Sequence, residues 1–231
     1  MTEESMPANQ PLKLGPLTLI LSILVLLAAV VTITAEILGA QTLVYFTKPL
    51  ILVLIIAIAF FSYDPPSRLY KWTIIIGLLF SLIGDILLML PQDLFLWGLI
   101  SFAVAQLFYT GAFIGDGGFY RNLRSAVPFL LYGVFMAALL WTDLGDMRIP
   151  ALVYLVIILV MAWQGYGHWR QTQQTRSRLA FIGVLLFVAS DSFLAVNRWL
   201  YDFEDLAPIL ILGTYYAAQW LIGQSAGNKH I

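Results

Sequence analysis

The sequence predicts an all-α polytopic membrane bundle of about eight transmembrane helices, and three observations predict it. Of the 231 residues, 61% are hydrophobic and only 11% charged, with a mean hydropathy of +0.87. Soluble domains carry about a quarter charged residues, so this chain has too little polar sequence to cover a globule. Apolar runs long enough to cross a bilayer, roughly 20 residues each, recur from end to end. Basic residues fall in alternate breaks between those runs, as the positive-inside rule requires of a polytopic protein.

The runs lie at about 15–35, 42–62, 71–90, 94–114, 126–142, 149–167, 179–198 and 207–226. The breaks carry Pro, Gly or charge: Asp64-Pro65-Pro66, Pro91-Gln92-Asp93, Gly115-Asp116-Gly117-Gly118, and the stretches 143–148, 170–178 and 202–205. The first run, from Leu14 to Ala35, exceeds the roughly 7–15 residues of a signal-peptide core, and no small-x-small cleavage site follows it. It reads as a retained helix behind a polar tail at 1–13, with 14–231 forming a single bundle.

Nine cations (Lys13, Arg68, Lys71, Arg121, Arg124, Arg170, Arg176, Arg178 and Lys229) fall on one side of an eight-helix layout, against only Arg148 and Arg198 on the other. Both termini are therefore expected in the cytoplasm, and the expected location is a bacterial inner membrane.

An internal similarity predicts two parallel four-helix repeats, about 14–118 and 119–226. The third run contains Gly77-Leu-Leu-Phe-Ser-Leu-Ile-Gly84-Asp85, and the seventh contains Gly183-Val-Leu-Leu-Phe-Val-Ala-Ser190-Asp191. Gln106 and Gln219 occupy similar places in the fourth and eighth runs, as do Pro49 and Pro150 in the second and sixth. Because four is even, the halves share an orientation, and a pseudo-axis along the membrane normal would set Asp85 and Asp191 at one depth on opposite walls of a cavity.

An ionisable residue inside a membrane helix costs roughly 2.5–3.5 kcal/mol on insertion scales, so it turns inward and marks function by default. Asp85 and Asp191 are the clearest cases. Two carboxyls in one low-dielectric cavity cannot both carry charge cheaply, which leaves a neutral acid beside a carboxylate, the pair needed for acid–base catalysis. Lys48 and Arg198 stand at the outer headgroup level, which leaves three roles open to each (binding a lipid phosphate, snorkelling to the interface or pairing with an Asp), while Glu36 reads as solvated. Gln106, Tyr109, Tyr154, Asn197, Tyr215, Tyr216 and Gln219 are further inward-facing candidates for substrate binding.

Other chemistries find little support. A net charge of −1 gives no reason to expect nucleic acid. There is no cysteine, and the only histidines are His168 and His230, so cysteine metal sites and a histidine-rich zinc hydrolase are unsupported, and no motif calls for a metal or organic cofactor. No Gly-x-Ser-x-Gly elbow or phosphate loop occurs.

Several motifs together resemble the YhhN-like lysoplasmalogenase family. They are Lys48-Pro49, the Asp85 motif above, Phe95-Leu-Trp-Gly98-Leu, Phe102-x-x-Ala-Gln-x-x-Tyr109, Phe187-x-x-Ser-Asp191-x-x-Leu-Ala195-x-Asn197-Arg198, and Thr214-Tyr215-Tyr216-Ala-Ala-Gln219. The similarity covers roughly residues 40–226. It implies a membrane hydrolase that splits the vinyl ether bond of a lysoplasmalogen into a fatty aldehyde and a glycerophospho-ethanolamine or -choline. The family usually has histidine where this chain has Gln106, so a hydrogen-bonding role is expected there. A lysophospholipid is then the expected partner, alongside membrane lipid. The rival expectation is a small proton-coupled transporter, since parallel repeats with midplane acids also serve carriers.

Overall fold

The computed structural model of the chain describes residues 15–227 and the backbone of residues 229 and 230. The predicted tail at 1–13, with Lys13, lies outside the described residues.

Among the described residues, eight helices are long and apolar enough to cross a membrane. They are α1 (Pro16–Ile37), α2 (Gln41–Phe61), α3 (Arg68–Met89), α4 (Phe95–Gly117), α5 (Val127–Leu140, which spans only together with the 3-10 turn Leu123–Ala126 before it), α6 (Arg148–Thr172), α7 (Thr175–Trp199) and α8 (Leu206–Gln224). Each falls on a predicted run. The largest displacements are at the ends of α6 and α7, which extend into the basic break at 170–178. That extension is stabilised by burial: His168 and Arg176, expected near a solvated loop, are both buried. A two-residue antiparallel pair, β1 (Ser62–Tyr63) with β2 (Lys229–His230), ties the chain's C-terminal end to the α2–α3 connection.

Local chemistry explains the helix ends. Pro16 opens α1, where the missing N–H has no carbonyl to serve. The Ser67 hydroxyl accepts from Tyr70 N at 3.0 Å and caps α3. Gly118, at φ 81°, ends α4 in a conformation that suits glycine. Pro49 lies inside α2 and removes one backbone donor immediately after the buried Lys48.

Helix association in a membrane depends on close packing, because lipid competes with apolar side chains on equal terms. At α7–α8 the backbones themselves come close: a β-carbon added to Gly183 would stand 2.8 Å from the Ala218 carbonyl oxygen. At α3–α4, Gly77 and Gly84 receive the rings of Tyr109 and Phe102. The main core runs through α2, α3, α4, α6, α7 and α8. A separate small cluster of Met136, Leu140 and Leu144 packs where α5 meets α6 and α7. Along with α1, α5 is the least buried of the eight.

A polar cluster pins one end of the bundle. His168 Nε2 lies 2.8 Å from Asp116 Oδ2, and Arg176 Nη2 lies 3.3 Å from the same oxygen. The His168 ring stacks on Phe113 and tilts over Tyr70, whose hydroxyl bonds Ser225 Oγ at 2.9 Å. Residues from α3, α4, α6 and α7, and from the turn after α8, thus meet in one desolvated knot. The other end, where α3 and α7 finish and α4 and α8 begin, contains the cavity described next.

Candidate active site

Asp85 and Asp191 both line a cavity of about 280 Å³ at that second end. Its other walls include Lys48 from α2, Phe95 and Phe102 from α4, Ser190, Asn197 and Arg198 from α7, and Tyr215 from α8. Asp85 lies about one helical turn inside the end of α3, and Asp191 about two turns inside the end of α7.

Each carboxyl is held by a tyrosine from a neighbouring helix. The Tyr215 hydroxyl donates to Asp85 Oδ2 at 3.1 Å. The Tyr154 hydroxyl, from α6, donates to Asp191 Oδ2 and in turn accepts from Gln106 Nε2 at 2.6 Å. A chain of three side chains from α4, α6 and α7 therefore orients Asp191. Gln106 Oε1 is buried with no partner among the described residues. Neither aspartate forms an ion pair among the described residues, although Lys48 lines the same cavity.

The cations at the mouth are tethered. Lys48 Nζ stands 4.0 Å from Glu36, so Glu36 serves as a counter-charge, where the sequence suggested a merely solvated side chain. Arg198 pairs with Asp93 at 3.1 Å and lies over the Phe95 ring at 4.1 Å. Asn197 Oδ1 is engaged by Phe203 N at 2.8 Å, which turns its amide NH₂ group away from that bond.

A second space adjoins the first. An apolar groove runs between α4, α5, α6 and α7, lined by Tyr132, Met136, Leu155, Ile158, Val188 and Trp199 among others. It shares Leu88, Phe95, Phe102, Asp191 and Leu194 with the polar cavity. Asp191 thus stands at the junction, whereas Asp85 faces only the polar side.

The remaining predicted residues lie elsewhere. Tyr109 and Gln219 are completely buried beneath the cavity. The Tyr109 hydroxyl donates to Gln219 Oε1 at 2.8 Å, and Gln219 Nε2 donates to Ser81 Oγ at 3.0 Å. They form a packed polar floor one turn below Asp85 and do not line the cavity. Tyr216 lines a separate apolar groove between α1 and α8. Sequence reasoning missed Tyr132, Ser192 and Asp93. Ser192 directly follows Asp191, and that adjacency was the one available signal. Among the described residues, no group of three His, Asp or Glu side chains converges as a metal site.

The YhhN family model matches residues 43–226, from the start of α2 through α8. The chain belongs to the YhhN family. Among its relatives, lysoplasmalogenase TMEM86A of Bos taurus is 33% identical over 162 residues, covering 66% of this chain and 64% of that one. Lysoplasmalogenase TMEM86B of Rattus norvegicus is 30% identical over 167 residues, covering 70% of this chain and 64% of its own length. The membrane protein YhhN of Escherichia coli is 26% identical over 204 residues, covering 88% and 96%. The match therefore spans just under two thirds of the mammalian relatives and nearly all of the bacterial one. No solved structure matches this YhhN-family chain. Both aspartates, the side chains of Gln106, Tyr154 and Tyr215 that hold them, and the groove lie inside the matched region.

Proposed function

We propose that this YhhN-family protein hydrolyses the vinyl ether bond of a lysophospholipid, releasing a fatty aldehyde and a glycerophospho-alcohol, with Asp85 and Asp191 as its catalytic pair and no metal. The single observation that carries this reading is the shared boundary of the two spaces: a polar cavity holding two carboxyls adjoins an apolar groove, with Asp191 lining both. A single-tailed lipid has the same two-part character. The names of the mammalian relatives support the same substrate class.

The chemistry suits the residues. Vinyl ethers hydrolyse by protonation of the outer alkene carbon, which yields an oxocarbenium ion that water attacks. Glycosidases meet the same kind of transition state with two carboxyl groups, one protonated and one not. Tyr154 and Tyr215 fix the two carboxyls, and a positioned acid or base contributes about 10²–10⁴-fold to a rate. Lys48 and Arg198 would receive the phosphate, while Glu36 and Asp93 lie beside them to meet an ammonium headgroup. The excess of cations at the opposite end would place the cavity on the non-cytoplasmic side, with both termini in the cytoplasm.

Purified protein in detergent, with no gradient, should release aldehyde from lysoplasmenyl-ethanolamine, and Asp85→Asn or Asp191→Asn should lower the rate of release by about 100-fold or more while the protein still folds. Near-normal turnover in both variants would remove the acid–base assignment. Absence of release by the wild type, with solute movement in liposomes, would favour a carrier instead.

A further inference from the structure

Resting on that reading, the geometry points to a fixed division of labour between the two carboxyls: Asp191 is the acid that protonates the alkene carbon on the tail side, and Asp85 is the base that activates water on the oxygen side. The order of features along the protein matches the order of atoms along the substrate. Lys48, Arg198 and Asp85 line only the polar cavity, Asp191 lines both spaces, and the apolar groove lies on its far side. From the headgroup outward the lipid presents its phosphate, its glycerol, the ether oxygen, the carbon that water attacks, the carbon that takes the proton, and the tail. A lipid with its phosphate at the cations and its tail in the groove brings the attacked carbon towards Asp85 and the protonated carbon towards Asp191.

The partners of the two carboxyls differ in the same sense. One spacing of 106 residues relates Asp85 to Asp191 and also Lys48 to Tyr154. In the first half of the chain that neighbour is a cation, Lys48, which lines the polar cavity together with Asp85 and is the kind of charge that stabilises a carboxylate. In the second half it is a phenol, Tyr154, which donates to Asp191 Oδ2. Both tyrosines occupy Oδ2 as donors, which leaves Oδ1 of each aspartate for proton transfer.

The cycle balances. Asp191 gives its proton to the tail-side carbon: the alkene π pair forms the new C–H bond, and an oxygen lone pair forms the oxocarbenium C=O bond. Water attacks the oxygen-bearing oxocarbenium carbon and passes a proton to the Asp85 carboxylate, giving a neutral hemiacetal. The hemiacetal hydroxyl returns a proton to Asp191 as its oxygen becomes the aldehyde carbonyl. The bond to the glycerol oxygen breaks, and that oxygen takes the proton from Asp85. One water is consumed and both carboxyls are restored.

The test reads where the tail-side proton comes from. The full-length protein in nanodiscs hydrolyses lysoplasmenyl-ethanolamine in D₂O, the aldehyde is reduced at once to the alcohol, and the configuration at its deuterated C2 is measured. The wild type should deliver deuterium to one face. Asp85→Asn should lose about 100-fold or more in rate yet keep that configuration, because Asp191 still delivers from one side. Asp191→Asn should lose comparably, and its residual product should be scrambled, because solvent now supplies the deuterium. Tyr154→Phe should scramble in part and Tyr215→Phe should not. This second pair decides by the same rule if an Asn variant fails to assemble. The reverse pattern, or one outcome shared by both sides, overturns the division of labour while leaving vinyl ether hydrolysis standing. A wild type that releases no aldehyde overturns both.

Discussion

Tyr132 on α5 donates its hydroxyl to Ser192 Oγ at 2.5 Å, one residue along α7 from Asp191. Ser192 passes its own proton to the Val188 carbonyl at 2.6 Å, so the direction of the bond is set. Among the described residues this is the one side-chain hydrogen bond between α5 and α7. Elsewhere α5 is held by apolar contacts, for which lipid is an equal competitor. The groove that leads to Asp191 is walled by this helix, and the latch stands at its inner end.

Removing the latch should loosen α5. Tyr132→Phe is expected to lower stability by about 1 kcal/mol and to speed uptake of a fluorescent lysolipid. Stopped-flow binding and thermal unfolding read the two effects. Unchanged or slower uptake would show that lipid does not pass α5.

The relay behind Asp191 makes a contrast of two variants informative. Tyr154→Phe removes the donor to Asp191 and strands Gln106 Nε2 beside an Oε1 that already lacks a partner. A stranded buried group costs about 1–3 kcal/mol. Gln106→Leu removes the amide altogether and leaves Tyr154 bonded to Asp191. We expect Gln106→Leu to be the more stable of the two, and to keep more activity. Equal melting temperatures and equal rates would argue against the relay.

Arg198 and Asp93 are 39% and 75% exposed in their side chains, so their pair contributes at most about 1 kcal/mol. Stability should barely change in Arg198→Ala. If Arg198 holds the substrate's phosphate, KM for the lysophospholipid should rise several-fold, and the rise should shrink for an analogue without phosphate. A kcat effect with KM unchanged would place Arg198 outside headgroup binding.

The knot at the opposite end should matter for stability and not for chemistry. Asp116 is the shared acceptor for His168 and Arg176. Asp116→Ala leaves both buried donors without that carboxylate, a loss of the kind that costs about 3–5 kcal/mol. The melting temperature should fall sharply, while turnover per folded molecule should be retained below the transition.

Two glycines on neighbouring helices give a packing test. A β-carbon at Gly183 meets a backbone carbonyl oxygen at 2.8 Å, whereas one at Gly213 meets nothing within 4 Å. Gly183→Ala should destabilise by about 1–3 kcal/mol. Gly213→Ala should be neutral or mildly stabilising, by up to about 1 kcal/mol of helix propensity. A reversed order would mean that α7 and α8 pack differently.

Hydropathy alone determined the number, type and approximate span of the helices. A bilayer leaves a backbone few ways to satisfy its hydrogen bonds, so a long apolar run reads directly as a helix. The polarity of Asp85 and Asp191 also marked them without reference to neighbours, because a carboxyl in a membrane helix is costly unless it turns inward. What surrounds them was not legible. Tyr109, Tyr154, Tyr215 and Tyr216 look alike as inward candidates, yet one braces each aspartate, one is sealed in the floor, and one faces a separate groove. The length of α7 and the knot around Asp116 were equally hidden, since a basic stretch reads as solvated until another helix buries it. Sequence periodicity reports what each helix prefers to bury; only the packing of helices far apart in the chain decides which side chain meets which, and that sets the order of mouth, carboxyls and groove.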